Sequence, residues 1–384
     1  MVTERTAVIV GGGIGGLAAA VALRRRGWRV EVCERAPEFT EIGAGLSLWP
    51  NALRALAALG LSDRVRKLGA VEASGGVRDR AGRWLARTDN AEIERRFGAP
   101  LVVLHRADLV RALIEALPEE TLRPATTVTG IRDDGDGGGA VVAEHDGGNL
   151  RADVVVGADG LRSTVRSLRW PAARPPRYAG YTAWRTITEP LPAPLARGAA
   201  NWGRGERFGY TSMPGGRVYC FATATVPAGG AGPDGERAEL RRRFGKWAEP
   251  IPTLLDAVPE AGVLRHDIYD LPPLPGYADG RVALLGDAAH AMTPNLGQGA
   301  CQALEDAVVL ASCLDRAPDV ASALADYDRR RRSRTQAVVR RSARLGAVGQ
   351  WSWPPAAGAR DLAARLTPNS ATLRSMAPIL GWEP

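Results

Sequence analysis

Lysine is nearly missing from this chain: of 50 basic residues, only Lys67 and Lys246 are lysine. Cysteine and histidine are scarce, with four of each. Cys33, Cys220, Cys301 and Cys313 are widely spaced and form no Cys-x-x-Cys pair, and no two histidines stand at ligand spacing. That pattern argues against a disulfide framework, a zinc site or a metal enzyme, and for reduced, buried thiols in a cytoplasmic protein. No Ser–His–Asp or Cys–His pattern suggests a covalent nucleophile. No stretch approaches the roughly 18 apolar residues of a membrane helix, and Val308–Cys313 is far too short. The opening Met1–Thr6 lacks the basic region of a signal peptide. Hydrophobic residues make up 45% and charged residues 24%, close to globular averages of about 45–50% and 25%. Disordered, collagen-like and coiled-coil classes are therefore excluded. At roughly 150 residues per domain, 384 residues suggest two domains. The net charge of +8 comes without a nucleic-acid recognition motif. The arginine runs 329–332 and 340–341 read as a solvated helix face.

What is present is concentrated in three passages. The first runs from a short β-branched strand at Ala7–Val10 through Gly11-Gly-Gly13-Ile-Gly15-Gly16 into the Ala/Leu-rich stretch 17–26. A second strand follows at Val30–Glu34. This is a βαβ unit carrying Gly-x-Gly-x-x-Gly at Gly11, Gly13 and Gly16. Gly11 permits the tight turn, Gly13 lets backbone approach a pyrophosphate, and Gly16 lets helix and strand pack closely. The helix N-terminus offers free N–H groups and a positive dipole end to phosphates. Glu34, closing the second strand, is placed to accept ribose hydroxyls. A dinucleotide site is the expectation.

The second passage runs from strand Val154–Val156 into Gly157-Ala-Asp159-Gly160, Ser163 and Arg166. The third runs from Arg281–Leu285 into Gly286-Asp287, a loop to Gly299 and a helix over Gln302–Leu314. Ligands of open α/β sheets bind beyond the carboxyl ends of strands, where both aspartates fall. The polar stretch 71–100 and the Pro- and aromatic-rich stretch 171–274 differ in character. In Arg217–Val226, Val218, Cys220 and Ala222 alternate with Tyr219, Phe221 and Thr223, the period of a half-buried strand. The fold expected is α/β: a Rossmann-like dinucleotide-binding domain (1–70, 101–170, 275–345) with an inserted, mostly antiparallel sheet domain (71–100, 171–274). A helical C-terminal tail (346–384) is expected to pack over the nucleotide domain. Gly135–Gly139 and Ala228–Gly235 read as hairpin loops.

The glycine motif with Glu34, LHRADL at Leu104–Leu109, GADGLRSTVR at Gly157–Arg166 and GDAAHAMTPNLGQGACQALEDA at Gly286–Ala307 together resemble the single-component, FAD-dependent aromatic-ring hydroxylases. The resemblance spans roughly Ala7 to Leu345. It implies one non-covalent FAD, NADH or NADPH as a transient reductant, O2 as co-substrate and a flavin C4a-hydroperoxide. The cofactor carries that chemistry while the protein positions substrate and excludes water. In this reading Gly11, Gly13, Gly15, Gly16 and Glu34 hold the adenosine half of FAD, and Arg35 and Val128 also bind the cofactor. Arg106 reaches the pyrophosphate or ribityl chain, and Gly45 and Ser47 approach the flavin side. Asp159 meets flavin and incoming nicotinamide, and Asp287 accepts hydrogen bonds from the ribityl hydroxyls. Pro294 borders the ring's reactive edge. The N–H groups of Gly297, Gln298, Gly299 and Ala300 stabilise negative charge on the reduced flavin. His290 is read as packing rather than as a base.

A second dinucleotide motif is absent, because Gly43-Ala-Gly45 lacks a following helix pattern. That speaks against two-dinucleotide oxidoreductases. Trp184, Arg185, Arg207, Tyr210, Tyr219 and Phe221, with Pro294, are the candidate lining of a pocket for a small aromatic substrate. The urate-hydroxylating members also resemble this chain. However, Arg207 lies further from Met213-Pro214 than their substrate arginine does from the equivalent pair. The rivals are a reductase or dehydrogenase of the same fold without oxygen insertion, a non-catalytic FAD-binding protein, and a nicotinamide-only Rossmann dehydrogenase, which would leave the Asp287 loop and its helix without a purpose. No catalytic side chain, metal, nucleic-acid or membrane partner is expected, and the protein is taken as a monomer or homodimer.

Overall fold

The computed structural model describes residues 5–39, 44–71, 74–135, 139–195 and 197–384. The N-terminal Met1–Glu4 and Gly43, on which two of the sequence readings bear, lie outside the described residues, as do the central residues of the 135–139 loop.

Thr6–Val10 is buried along most of its length, and its run Ala7-Val-Ile-Val10 has no polar interruption. A strand covered on both faces needs that continuity, and parallel sheets show it. Parallel neighbours flank it at Arg29–Cys33 and Val154–Gly157. The six-stranded sheet then continues to Leu122–Arg123 on one side and through Val282–Leu284 to Ala278–Asp279 on the other. All its pairings are parallel except the last. The Ile14–Arg24 helix connects the first two strands and packs against the Gly299–Arg316 helix. Both are apolar where they meet, which places the loops before them side by side at one end of the sheet.

An antiparallel three-stranded sheet of Val128–Asp133, Val141–His145 and Gly148–Ala152 adjoins this layer. The seven-stranded sheet runs in the order Leu264–Asp270, Arg177–Ile187, Val218–Ala224, Glu206–Ser212, Ala199–Trp202, Ser74–Asp79, Trp84–Asp89. Its pairings are antiparallel except for Ser74–Asp79 on Ala199–Trp202. One face is sealed by the helices Glu236–Phe244 and Ile251–Asp256 over Trp184, Phe208, Tyr210, Cys220 and Ala222. There Phe244 meets Phe208 and Trp247 at centroid separations of 5.4 and 5.0 Å, favourable tilted and edge geometries. The opposite face carries Tyr181, Arg185, Arg207, Gly209, Tyr219 and Phe221 and turns toward the six-stranded layer. The chain is thus α/β, with a parallel Rossmann-like sheet, a large antiparallel sheet and C-terminal helices.

Several expectations need correction. Ala228–Gly235 leads into the Glu236–Phe244 helix and is not a hairpin loop. The last long helix, Val320–Gly349, runs past 345. The Pro354–Leu366 helix packs on the Trp84–Asp89 edge of the large sheet, and only Asn369–Leu380 reaches the Pro50–Ala58 helix beside the parallel layer. A helix does follow Gly45 at Pro50–Ala58, but Gly45–Leu48 is a strand antiparallel to Val102–His105, so no dinucleotide turn forms there. The arginine run is also not all solvated: Arg331 is only 1% exposed. All four cysteines are buried and unpaired by disulfides. No described helix is long and apolar enough to cross a membrane.

Candidate active site

The first glycine loop is built by close approach. Gly11 has φ +111°, and a Cβ there would stand 2.5 Å from the Ala158 carbonyl oxygen. A Cβ on Gly16 would lie 2.0 Å from the Gly11 oxygen, so loop and helix touch backbone to backbone. Gly15 faces Leu285 and Ala303, which seats the helix on the third passage. Gly13 is the N-cap of the Ile14–Arg24 helix, with no side-chain cap and no acid in the first turn. Its leading N–H groups and dipole thus remain available to an anion. Glu34 accepts from the Gly12 N–H at 2.7 Å and the Ala36 N–H at 2.9 Å, fixing the carboxylate at the loop. Arg35 beside it is exposed. Val128 is buried at the start of its strand, two residues after Thr126, whose N–H donates to the Glu34 carbonyl.

The second half of the site comes from Gly286–Ala300. Gly286 has φ +57°, the left-handed region. Asp287 is exposed at the head of a short helix whose cap is Gly286, so it does not cap that helix. Among the described residues, no N–H or O–H donates to its carboxylate. Arg106, at the start of the Arg106–Ile114 helix, faces it: burial pulls the Arg106 guanidinium down, and Asp287 acts in the opposite sense. Pro294 is exposed at the start of a single turn, and Gly297 has φ +60° against Trp49. The Gly297 N–H is taken by the Pro294 carbonyl at 3.0 Å, so it is not one of the free donors. The N–H groups of Gln298, Gly299 and Ala300, at the head of an 18-residue helix, have no backbone acceptor among the described residues. The Gln298 side chain is fully buried, and its Oε1 accepts from Asn51 and Gln302.

Asp159 does two things. Its Oδ2 accepts from the N–H groups of Thr164 and Val165 at 2.6 and 3.1 Å, the first two of the Thr164–Arg169 helix, whose cap is Ser163. Its Oδ1 is buried and has no partner among the described residues, a polar atom left for a ligand to satisfy. Arg166 donates to the Ala288 carbonyl at 2.8 Å and so anchors the Asp287 turn from beneath. Asp306, from the adjoining helix, accepts from the Gly286 N–H at 2.9 Å and contacts His290 Nε2 at 2.6 Å. His290 is 2% exposed and serves this scaffold. Arg166, Asp306 and Asn295 lie inside the quoted motifs, yet nothing in their spacing announces these roles.

On the large sheet the alternation separates the candidates. Trp184 donates to Glu236 at 2.6 Å beneath the helices, and Tyr210 accepts from Arg78 at 3.2 Å on the same covered face. Both are therefore corrected from pocket lining to core. Tyr219 and Phe221 face the other way. The Tyr219 ring lies over Gly45, where a Cβ would come within 2.2 Å of it, and the Phe221 ring lies over Gly209. Ser47 follows on the same strand as Gly45. Arg207 also faces inward but is already bound: it donates to Asn295 Oδ1 at 2.8 Å and Thr223 Oγ1 at 3.2 Å and lies over the Tyr181 ring. Asn295 in turn donates to the Tyr181 hydroxyl at 3.0 Å and to Thr293 and the Ser342 carbonyl. Arg207 thus clamps the sheet to the Pro294 turn rather than presenting a free cation. Arg185 is half-buried and, among the described residues, has no hydrogen bond or ion pair.

A glycine cradle open to an anion, a free carboxylate opposite an arginine, an orphaned Asp159 oxygen and three free N–H groups suit an extended dinucleotide bearing a flavin. Residues 4–172 and 274–342 match the family described as an FAD binding domain, and the chain belongs to that family. The chain is 41% identical over 355 residues to the aurachin C monooxygenase/isomerase of Stigmatella aurantiaca, covering 91% of each. It is 36% identical to the FAD-dependent urate hydroxylase of Klebsiella pneumoniae, covering 87% of each. The crystal structure of Klebsiella pneumoniae HpxO complexed with FAD and uric acid superposes with a TM-score of 0.90 and 31% identity, covering 98% and 96% of the two chains. The protein is a flavin-dependent monooxygenase that binds FAD.

Asp287→Ala should weaken FAD binding by a charged hydrogen bond, about 1.5–3 kcal/mol. That is a loss of roughly 10- to 150-fold. Flavin-fluorescence titration of the apoprotein measures it. Unchanged affinity would remove Asp287 from the cofactor site.

Proposed function

We propose that this protein hydroxylates a small, planar aromatic or heteroaromatic ring, drawing electrons from NADH or NADPH and one oxygen atom from O2. The observation that carries the ring preference is the inward face of the large sheet. There Tyr219 and Phe221, with centroids 6.1 Å apart, stand on the side of Gly45 and Arg106. FAD, when bound, supplies the hydride acceptance and oxygen activation. Gly13 and the Ile14–Arg24 helix hold the pyrophosphate, with Glu34, Arg35 and Val128 at the adenosine end and Arg106, Asp159 and Asp287 along the chain. The N–H groups of Gln298–Ala300 put positive potential where the reduced ring carries charge. Pro294 and the aromatic pair border the space for substrate and keep water from it. The relative named for urate supports a heteroaromatic ring as the first substrate to try.

The test is a substrate screen that follows NAD(P)H oxidation, O2 uptake and product mass together. Without substrate, NAD(P)H consumption is expected to be slow. The right ring compound should raise it severalfold and give a product with one atom of labelled oxygen from O2. Turnover that proceeds anaerobically to a product two hydrogens lighter would make the protein a dehydrogenase. No substrate-stimulated turnover with any bound ligand would make it a binder.

A further inference from the structure

The Pro354–Leu366 helix turns an apolar side to solvent. Pro355, Ala359, Leu362 and Leu366 recur at the i, i+4, i+7, i+11 spacing of one helix face, and all four are exposed. An amphipathic helix of a globular protein points such a stripe at the core. Here the inward positions are Ala357 and Arg360. Arg360 fixes the helix from beneath: it donates to the Gly349 carbonyl at 3.0 Å and the Gly203 carbonyl at 2.9 Å, and its guanidinium lies over the Trp202 ring. The segment just before the helix adds Trp351 and Trp353. Trp353 and Leu366 are 68% and 72% exposed, and Trp351 and Leu362 are also open to water. Among the described residues, the other exposed large apolar side chains are Val71 and Leu168. Single exposed apolar residues are ordinary, but a cluster of them rimmed by polar groups marks an interaction site.

The rim of this cluster is cationic. Asp361, the one carboxylate of the helix, is paired with Arg360, and Asp79, which meets the helix, is paired with Arg365. Arg204 stands in the turn whose Gly205 N–H donates to the Trp351 carbonyl at 3.0 Å. Arg344 lies one turn before Val348, which lines a shallow apolar groove with Trp351, Ala359 and Ala363. Both arginines are exposed and, among the described residues, have no hydrogen bond or ion pair. A two-fold contact between copies presents the same patch on both sides, so it would set these cations against their own counterparts, a costly juxtaposition. An anionic bilayer offers the opposite sign, and its headgroup–acyl boundary is where tryptophan rings settle.

We propose that Trp351–Leu366 is a membrane-docking surface, which lays the Pro354–Leu366 helix in the headgroup–acyl boundary of an anionic bilayer with Arg204 and Arg344 against its phosphates. The missing spanning stretch is the whole ground for expecting no membrane partner. An interfacial helix needs no span: an apolar stripe with flanking cations suffices.

The experiment floats the FAD-loaded protein with vesicles of equimolar phosphatidylcholine and phosphatidylglycerol, against vesicles of phosphatidylcholine alone. Wild type should float with the anionic vesicles and far less with the neutral ones, and salt should weaken the difference. Arg204→Gln and Arg344→Gln should each lower anionic binding about fivefold. Leu362→Asp combined with Leu366→Asp should lower it by more than about a hundredfold. That double variant should keep the wild-type melting temperature and FAD affinity, because both side chains already stand in water. Equal flotation of wild type and the double variant, or no flotation of wild type with anionic vesicles, overturns the proposal. So does a wild-type dimer that the double variant turns into a monomer while neither binds vesicles, which would give the patch to a second copy of the chain.

Discussion

Arg331→Met is expected to unfold much of the population at temperatures where the wild-type protein is intact. Arg331 donates from Nη1 to Glu305 at 2.5 Å, from Nε to Asp306 at 2.6 Å and from Nη2 to the Gln302 side chain at 2.9 Å. Glu305 and Asp306 are fully buried, so removing the guanidinium takes away the cation that these two water-excluded carboxylates share. Breaking a buried pair from one side costs about 3–5 kcal/mol, because the penalty is the uncompensated charge rather than the lost contact. Arg334 and Asn51 still reach Glu305, and His290 and the Gly286 N–H still reach Asp306, which keeps the loss near that range. Thermal melts of apoprotein and flavin-loaded protein measure it, and Arg331→Lys should fall between the two because a point charge replaces the fork. Wild-type stability in Arg331→Met would show the network to be inessential.

The same network sets a pH dependence whose sign follows from Asp306. Burial alone would raise its carboxyl, but His290, Arg331 and the Gly286 N–H outweigh burial and hold it well below the usual carboxylate range. A depressed carboxyl contributes stability that is fully present above its unfolded value of about 3.9 and is lost as pH falls toward the folded one. Acid unfolding should therefore release flavin, since protonated Asp306 grips the Gly286 turn less firmly. Asp306→Asn should shallow that acid limb.

How much of this was legible follows from which forces act locally. The βαβ unit, its glycines and both aspartate-bearing loops could be read because backbone close approach demands particular residues at fixed spacing. Gly11 and Gly16 touch Ala158 and Gly11 itself, and no side chain could stand there. The alternation through Val218–Ala224 correctly sorted Tyr219 and Phe221 from Cys220 and Ala222. It did not sort Trp184 and Tyr210, because which face of a strand meets the cofactor depends on partners far away in sequence. Arg207 looked like a substrate cation because its partner Asn295 stands 88 residues on. Arg331 looked solvated within an arginine run, since only the packing of the Val320–Gly349 helix on Glu305 and Asp306 buries it.

Gly16→Ala should produce a folded protein that purifies with little or no flavin. The added methyl would sit 2.0 Å from the Gly11 carbonyl oxygen, with the Gly11 carbon at 3.2 Å and the Ala158 Cβ at 3.3 Å. The first two are backbone atoms of the pyrophosphate loop, and the loop is pinned on its far side by the Gly11 N–H to the Cys33 carbonyl at 2.8 Å. The helix must therefore slide away from the loop, and the N–H groups that face the phosphates move with it. Overpacking of this kind costs typically 1–3 kcal/mol. Spent on the bound geometry, the upper end is a loss of roughly 150-fold in FAD affinity. The control is Gly358→Ala, in the Pro354–Leu366 helix, where a Cβ meets nothing within 4 Å. That change should leave FAD affinity untouched and raise stability by about 0.5–1 kcal/mol through helix propensity. Reconstitution of each apoprotein with FAD, followed by fluorescence quenching, gives both affinities in one measurement. Equal affinity in the two variants would mean that the Gly16 contact does not set the phosphate loop.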